Sequence, residues 1–95
     1  MDIILIGAGG HAAEIDEYIL YAQRKAGIDM RVIGFLDDNP ANYERYQHSA
    51  PLLGNIRRHE VRSDCHYLMG IANLAYRRPI IERFVAEGGH FATFI

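Results

Sequence analysis

The chain has 95 residues and a formal net charge of −2, enough for one domain and too short for two independent cores. Apolar residues make up 49% of it and charged residues 23%, which suits a globular chain and excludes a disordered one. The near-neutral balance excludes the basic footprint of a nucleic-acid or anionic-membrane binder, and the single cysteine, Cys65, excludes an internal disulfide and a multi-cysteine zinc site.

One lone cysteine also fits a reducing compartment. The longest apolar runs are about five or six residues, against the ~20 that span a bilayer. Asp2 follows Met1 where a signal peptide would carry lysines. A soluble, cytoplasmic domain without membrane or nucleic-acid partners is expected.

Ile3–Ile6 is a β-branched run without polar alternation, so it predicts a strand buried on both faces of a parallel sheet. Gly7-Ala8-Gly9-Gly10 breaks it. From His11 to Ala26 the period becomes helical: Ala12, Ile15, Tyr18, Ile19 and Ala22 share one face, and Asp16, Glu17, Gln23, Arg24 and Lys25 take the other. Gly27 is a natural stop. Arg31–Leu36 predicts the second strand, closed by the turn signal Asp37-Asp38-Asn39-Pro40.

Ala41–Ala50 is polar, tyrosine-rich and aperiodic, which predicts a loop. Pro51–Gly54 reads as a short strand, and Arg57–Ser63 has weak helical character. His66–Ala72 predicts a further buried strand, and Asn73 could cap the helix expected over Leu74–Glu87. That helix carries its apolar stripe at Ile80, Ile81, Phe84 and Val85 and ends at Gly88-Gly89. Pro79 inside the pattern should kink it or delay its regular start. His90–Ile95 reads as a last strand. Strands alternating with helices predict a small Rossmann-like, doubly wound parallel α/β sheet of about four to five strands with right-handed crossovers.

Chemistry concentrates at one edge of that sheet. Gly7-Ala8-Gly9-Gly10-His11-Ala12 fits G-x-G-x-x-A between a strand and a helix. Glycines there permit a tight turn and close backbone approach, and the helix start offers amides and a positive dipole end to an anion. Asp37 and Asp38 fall at the carboxyl end of the second strand, on the same edge, where a carboxylate can accept from nucleotide hydroxyls. Ala72 and Asn73 end a third strand there. His11 follows the glycines, and a neutral imidazole both donates and accepts. His48, His59, His66 and His90 show no metal-ligand spacing and read as surface or core residues. Cys65 reads as a small buried hydrophobe. No metal site is expected.

These residues resemble the N-terminal domain of bacterial sugar O-/N-acyltransferases of the NeuD/PglD type, which include sialic acid O-acetyltransferases and UDP-4-amino-sugar N-acetyltransferases. The likeness runs through Ile3–Ile15, Val32–Pro40, Pro51–Ile56 and Tyr67 onward to Ile95. It implies a Rossmann-like domain that binds the nucleotide-sugar acceptor. Gly9, Gly10 and His11 would contact that acceptor, with Asp37 and Asp38 nearby and Ala72 and Asn73 closing the pocket. Family members often carry glycine where this chain has Ala72, so a methyl group there would narrow the pocket.

The resemblance further implies a left-handed β-helix beyond these residues, which would bind acetyl-CoA as cosubstrate, supply the catalytic histidine and build a homotrimer. The 95-residue domain is then expected to hold no catalytic residue and no cofactor, to be inactive alone, and to be a piece of a longer chain. Two other readings stand beside it. The same turn and acidic residue suit an NAD(P)-binding half-domain of an oxidoreductase, although a full dinucleotide site needs about six strands. A non-catalytic interaction module that has lost its ligand is the third.

Overall fold

A computed structural model describes residues 1–93. Its elements in chain order are β1 (Asp2–Ile6), α1 (Gly10–Ala26), β2 (Arg31–Leu36), α2 (Pro40–Arg45), β3 (Leu52–Gly54), β4 (His66–Met69), α3 (Leu74–Ala86) and β5 (His90–Phe91). All five strands are parallel, in the order β3-β2-β1-β4-β5. The chain winds one way from β1 through β2 to β3, then crosses back and winds the other way from β4 to β5. Neighbouring β1 and β4 therefore flank the topological switch point, the crevice where open α/β sheets take their ligands.

The strand pleat sends alternate β1 side chains to opposite faces, and both faces are covered. Ile3 and Leu5 pack with Ala12, Ile19, Phe35 and Leu68 on the α1 side. Ile4 and Ile6 pack with Leu36, Ile56, Cys65, Tyr67 and Phe84 on the α3 side. Ile3 to Ile6 are each fully buried, as the unalternating run predicts. Burying four such side chains contributes roughly 1.5–3 kcal/mol each before the entropy of ordering them is charged. No helix among the described residues is long and apolar enough to cross a membrane.

Several expectations are corrected. The segment expected as a loop over Ala41–Ala50 opens with α2, because Asn39 accepts from the Ala41 amide at 3.1 Å and Pro40 takes the first helical position. No helix forms over Arg57–Ser63. The amides of Ile56 and Arg57 are taken by Asp38, and that of Arg62 by the Tyr67 hydroxyl. On α1, Tyr18 is 55% exposed and Asp16 only 3%, so the buried stripe is Ala12-Asp16-Ile19. On α3, Phe84 is buried and Val85 exposed.

β4 stops at Met69 rather than Ala72, and helix α3 runs through Pro79 from its start at Leu74. β5 is described over His90–Phe91, with Ala92 and Thr93 outside it. The last two residues of the strand expected over His90–Ile95 lie outside the described residues.

Candidate functional site

The carboxyl ends of three strands are laced together at one edge. The Gly7 amide donates to the Leu36 carbonyl at 2.6 Å, joining β1 to β2, and the Gly70 amide donates to the Ile6 carbonyl at 2.7 Å, joining β4 to β1. Both glycines are required by the fold. Gly7 has φ of 100°, and a Cβ there would meet Ile71 Cγ1 at 2.8 Å. At Gly70 a Cβ would meet the Ala12 Cβ at 2.7 Å. The first turn of α1 thus sits hard against the end of β4.

Gly9 is the N-cap of α1 and makes no side-chain capping bond, having no side chain to make one. The first turn holds no acidic residue either. α2 and α3 differ: Asn39 caps the first, and Asn73 caps the second by accepting from the Ala75 amide at 2.9 Å. A helix start leaves four amides without intrahelical acceptors, and at α1 no capping side chain uses them. A Cβ added at Gly9 would meet nothing within 4 Å, whereas one at Gly10 would lie 3.2 Å from the Tyr46 hydroxyl oxygen. His11 is exposed beside them.

The two aspartates sit at this edge with their carboxylates engaged. Asp37 Oδ2 accepts from the Ala8 amide at 2.9 Å and Oδ1 from the Asn39 amide at 2.8 Å. Asn42 Nδ2 lies 3.3 Å from each oxygen. Asp38 Oδ1 accepts from the amides of Ile56 and Arg57 at 2.8 and 3.1 Å, fixing the start of the β3–β4 connection. Ala72 and Asn73 are exposed after β4. A groove of about 660 Å³ adjoins the glycine turn, between α1 and the 46–49 segment. Of the candidate contact residues Gly9, Gly10, His11, Asp37, Asp38, Ala72 and Asn73, only Gly10 borders it.

Sequence reasoning missed what holds that segment. Buried Asp16 on α1 accepts from the Ser49 amide at 2.8 Å and from the Ser49 hydroxyl. His48 Nε2 lies 2.9 Å from the Ala8 carbonyl oxygen, and since a carbonyl only accepts, the ring donates. These contacts join residues 33 and 40 positions apart, and no local pattern announces them.

A second polar cluster lies on the α3 face. His59 Nε2 is 2.7 Å from the Tyr67 hydroxyl, whose oxygen accepts from the Arg62 amide at 2.8 Å. Arg83 donates to the carbonyls of Ile56 and His59 at 2.8 and 2.7 Å. Burial, then the charges of Arg83 and Arg62, lower the His59 pKa, and burial raises that of Tyr67. Burial also raises the Cys65 thiol, which keeps it from being the thiolate a nucleophile requires. This cluster fastens the β3–β4 connection to α3.

The edge as a whole offers free amides at a helix start, on a turn locked by its neighbours, at the switch point of the sheet. Such a surface can bind an anionic group. No curated protein sequence matches the chain. A family model for the PglD N-terminal domain matches residues 2–84, from β1 into α3, and the chain belongs to that family.

Proposed function

We propose that this domain binds the nucleotide-sugar acceptor, a UDP-amino sugar or related activated sugar, of an acetyl-CoA-dependent sugar acetyltransferase. The observation that carries the reading is the uncapped start of α1 at Gly9 and Gly10 beside His11, in a family that pairs this domain with an acyltransferase. The diphosphate would lie on these amides, where the macrodipole favours negative charge. Asp37 and Asp38 would border the nucleoside, and Ala72 with Asn73 would close the far side. In this reading the general base that deprotonates the acceptor amine or hydroxyl belongs to a β-helix outside these 95 residues, as does the acetyl-CoA site. The domain contributes positioning and is inactive alone.

The dinucleotide alternative asks the acid at the end of β2 to accept from a ribose hydroxyl. Asp37 is already committed to Ala8, Asn39 and Asn42, so that element of the dinucleotide fingerprint is not met here. Calorimetric titration with UDP-N-acetylglucosamine, a UDP-4-amino sugar, CMP-sialic acid and NADH tests the acceptor reading. Heat with a sugar nucleotide and none with NADH is expected, and the reverse pattern overturns the proposal.

A further inference from the structure

The backbone of Ala8, at the apex of the glycine turn, is held on both sides by side chains from elsewhere in the chain. Its N–H donates to Asp37 Oδ2 at 2.9 Å, and its C=O accepts from His48 Nε2 at 2.9 Å. Neither clamp residue is loose. Asp37 is braced by the Asn39 amide and by Asn42 Nδ2. The His48 ring stacks on Tyr43, centroids 4.4 Å apart and planes 14° apart, and meets the Phe35 ring edge-on at 4.6 Å. Tyr43 in turn donates its hydroxyl to the Ala50 carbonyl at 2.8 Å, and Ser49 is tied to buried Asp16. The segment between α2 and β3 is therefore fixed to α1, to α2 and to the turn.

We infer that Asp37 and His48 are positioning residues that clamp the backbone on either side of the Ala8 Cα and so set the direction of the Gly9, Gly10 and His11 amides. The inference rests on the proposed role of those amides in holding a diphosphate. It separates two jobs that an acid after β2 can do. The Asp37 oxygens accept one amide each, from Ala8 and Asn39, and Asn42 Nδ2 lies 3.3 Å from both, four contacts for the roughly four acceptor positions of a carboxylate. Asp37 shapes the turn and does not read the sugar of the nucleoside. The Ala8 amide, spent on Asp37, is not one of the ligand's donors.

Amide hydrogen exchange on the unliganded 95-residue chain tests the clamp without any ligand. The Ala8 amide should exchange slowly, and the Gly10 and His11 amides quickly. Fast exchange at Ala8 overturns the clamp, whether or not the domain binds nucleotides. Binding of UDP and 2′-deoxy-UDP then tests its consequence. Asp37→Ala should weaken both by a similar factor, about fivefold to tenfold; loss confined to the ribonucleotide would show that Asp37 touches the ribose, and would overturn the assignment. His48→Phe keeps a ring against Tyr43 and removes the donor, and should weaken UDP by about the same factor. His48→Gln returns an N–H and should recover most of it. Wild-type affinity in His48→Phe, with the fold intact by circular dichroism, removes His48 from the clamp. A wild-type chain that binds no nucleotide would sink the proposed function while leaving the exchange pattern at Ala8 to decide the clamp.

Discussion

At the scale of single residues, the glycines of the sheet edge divide by what the protein itself demands. Gly70→Ala must push its methyl into Ala12 and the Ile6 carbonyl, at 2.7 and 3.0 Å, neither of which is the free end of a flexible chain. It should cost about 1–3 kcal/mol in denaturant unfolding, the range for overpacking. Gly9→Ala meets open space and has φ of −81°, so its cost should stay within about 1 kcal/mol, the loss of a tolerable N-cap. If a ligand's phosphate approaches that backbone, the same methyl should weaken nucleotide binding measurably. Equal stability loss in the two variants would contradict the packing described at Gly70.

His59 gives the residue scale its pH dependence. Its folded pKa lies below the ordinary 6.5, so between those two values the unfolded chain binds more protons than the folded one. Stability then rises with pH across that window and is lost as pH falls from 6.5 toward the folded value, levelling below it. His59→Gln should flatten this part of the profile of unfolding free energy between pH 7 and 5. The turn glycines and the edge acids were legible because their residue types have few other uses after a buried strand. Asp16 and His48 were not, since helical period alone groups Asp16 with Glu17, and an isolated histidine carries no sign of its partner.

At the scale of elements, the long ones follow from periodicity and the short ones from caps. α1 spans 17 residues, and its nearly five turns give its apolar period room to be seen. α2 has six residues and buries none of them, so no hydrophobic stripe exists to be found. It forms because Asn39 and Pro40 start it. The same Asn-Pro pair reads equally well as a turn, which is why the helix was not legible. The 57–63 segment shows the converse: a faint helical pattern loses where the Arg62 amide, which a helix would send to the Arg58 carbonyl, goes to the Tyr67 hydroxyl instead. α3 carries an interior proline and one fully buried residue, Phe84, so its cap matters more than usual. Asn73→Ala should cost about 1 kcal/mol and reduce helical signal, with amide exchange rising first at Ala75 and Tyr76. No change in exchange there would show that packing of Phe84 alone holds the helix start.

At the scale of the whole molecule, a five-stranded parallel sheet with a helix layer on each face is built from few residues. A domain of this size buries only roughly 60–65% of what its unfolded chain exposes, and its margin is correspondingly small, on the order of 5–10 kcal/mol. A ligand that binds only the folded state adds RT ln(1 + [L]/Kd), about 2.7 kcal/mol at a hundredfold excess over Kd. Spread over so small an unfolding entropy, that increment should raise the melting temperature by on the order of 10 °C. The sugar nucleotide that gives heat in titration should produce this shift, and NADH at the same concentration should not. Because the proposed contacts are amides at the start of α1, the shift should persist in His11→Ala at a higher ligand concentration and shrink in Gly9→Ala. A shift of equal size in wild type and Gly9→Ala would place the ligand somewhere other than the glycine turn.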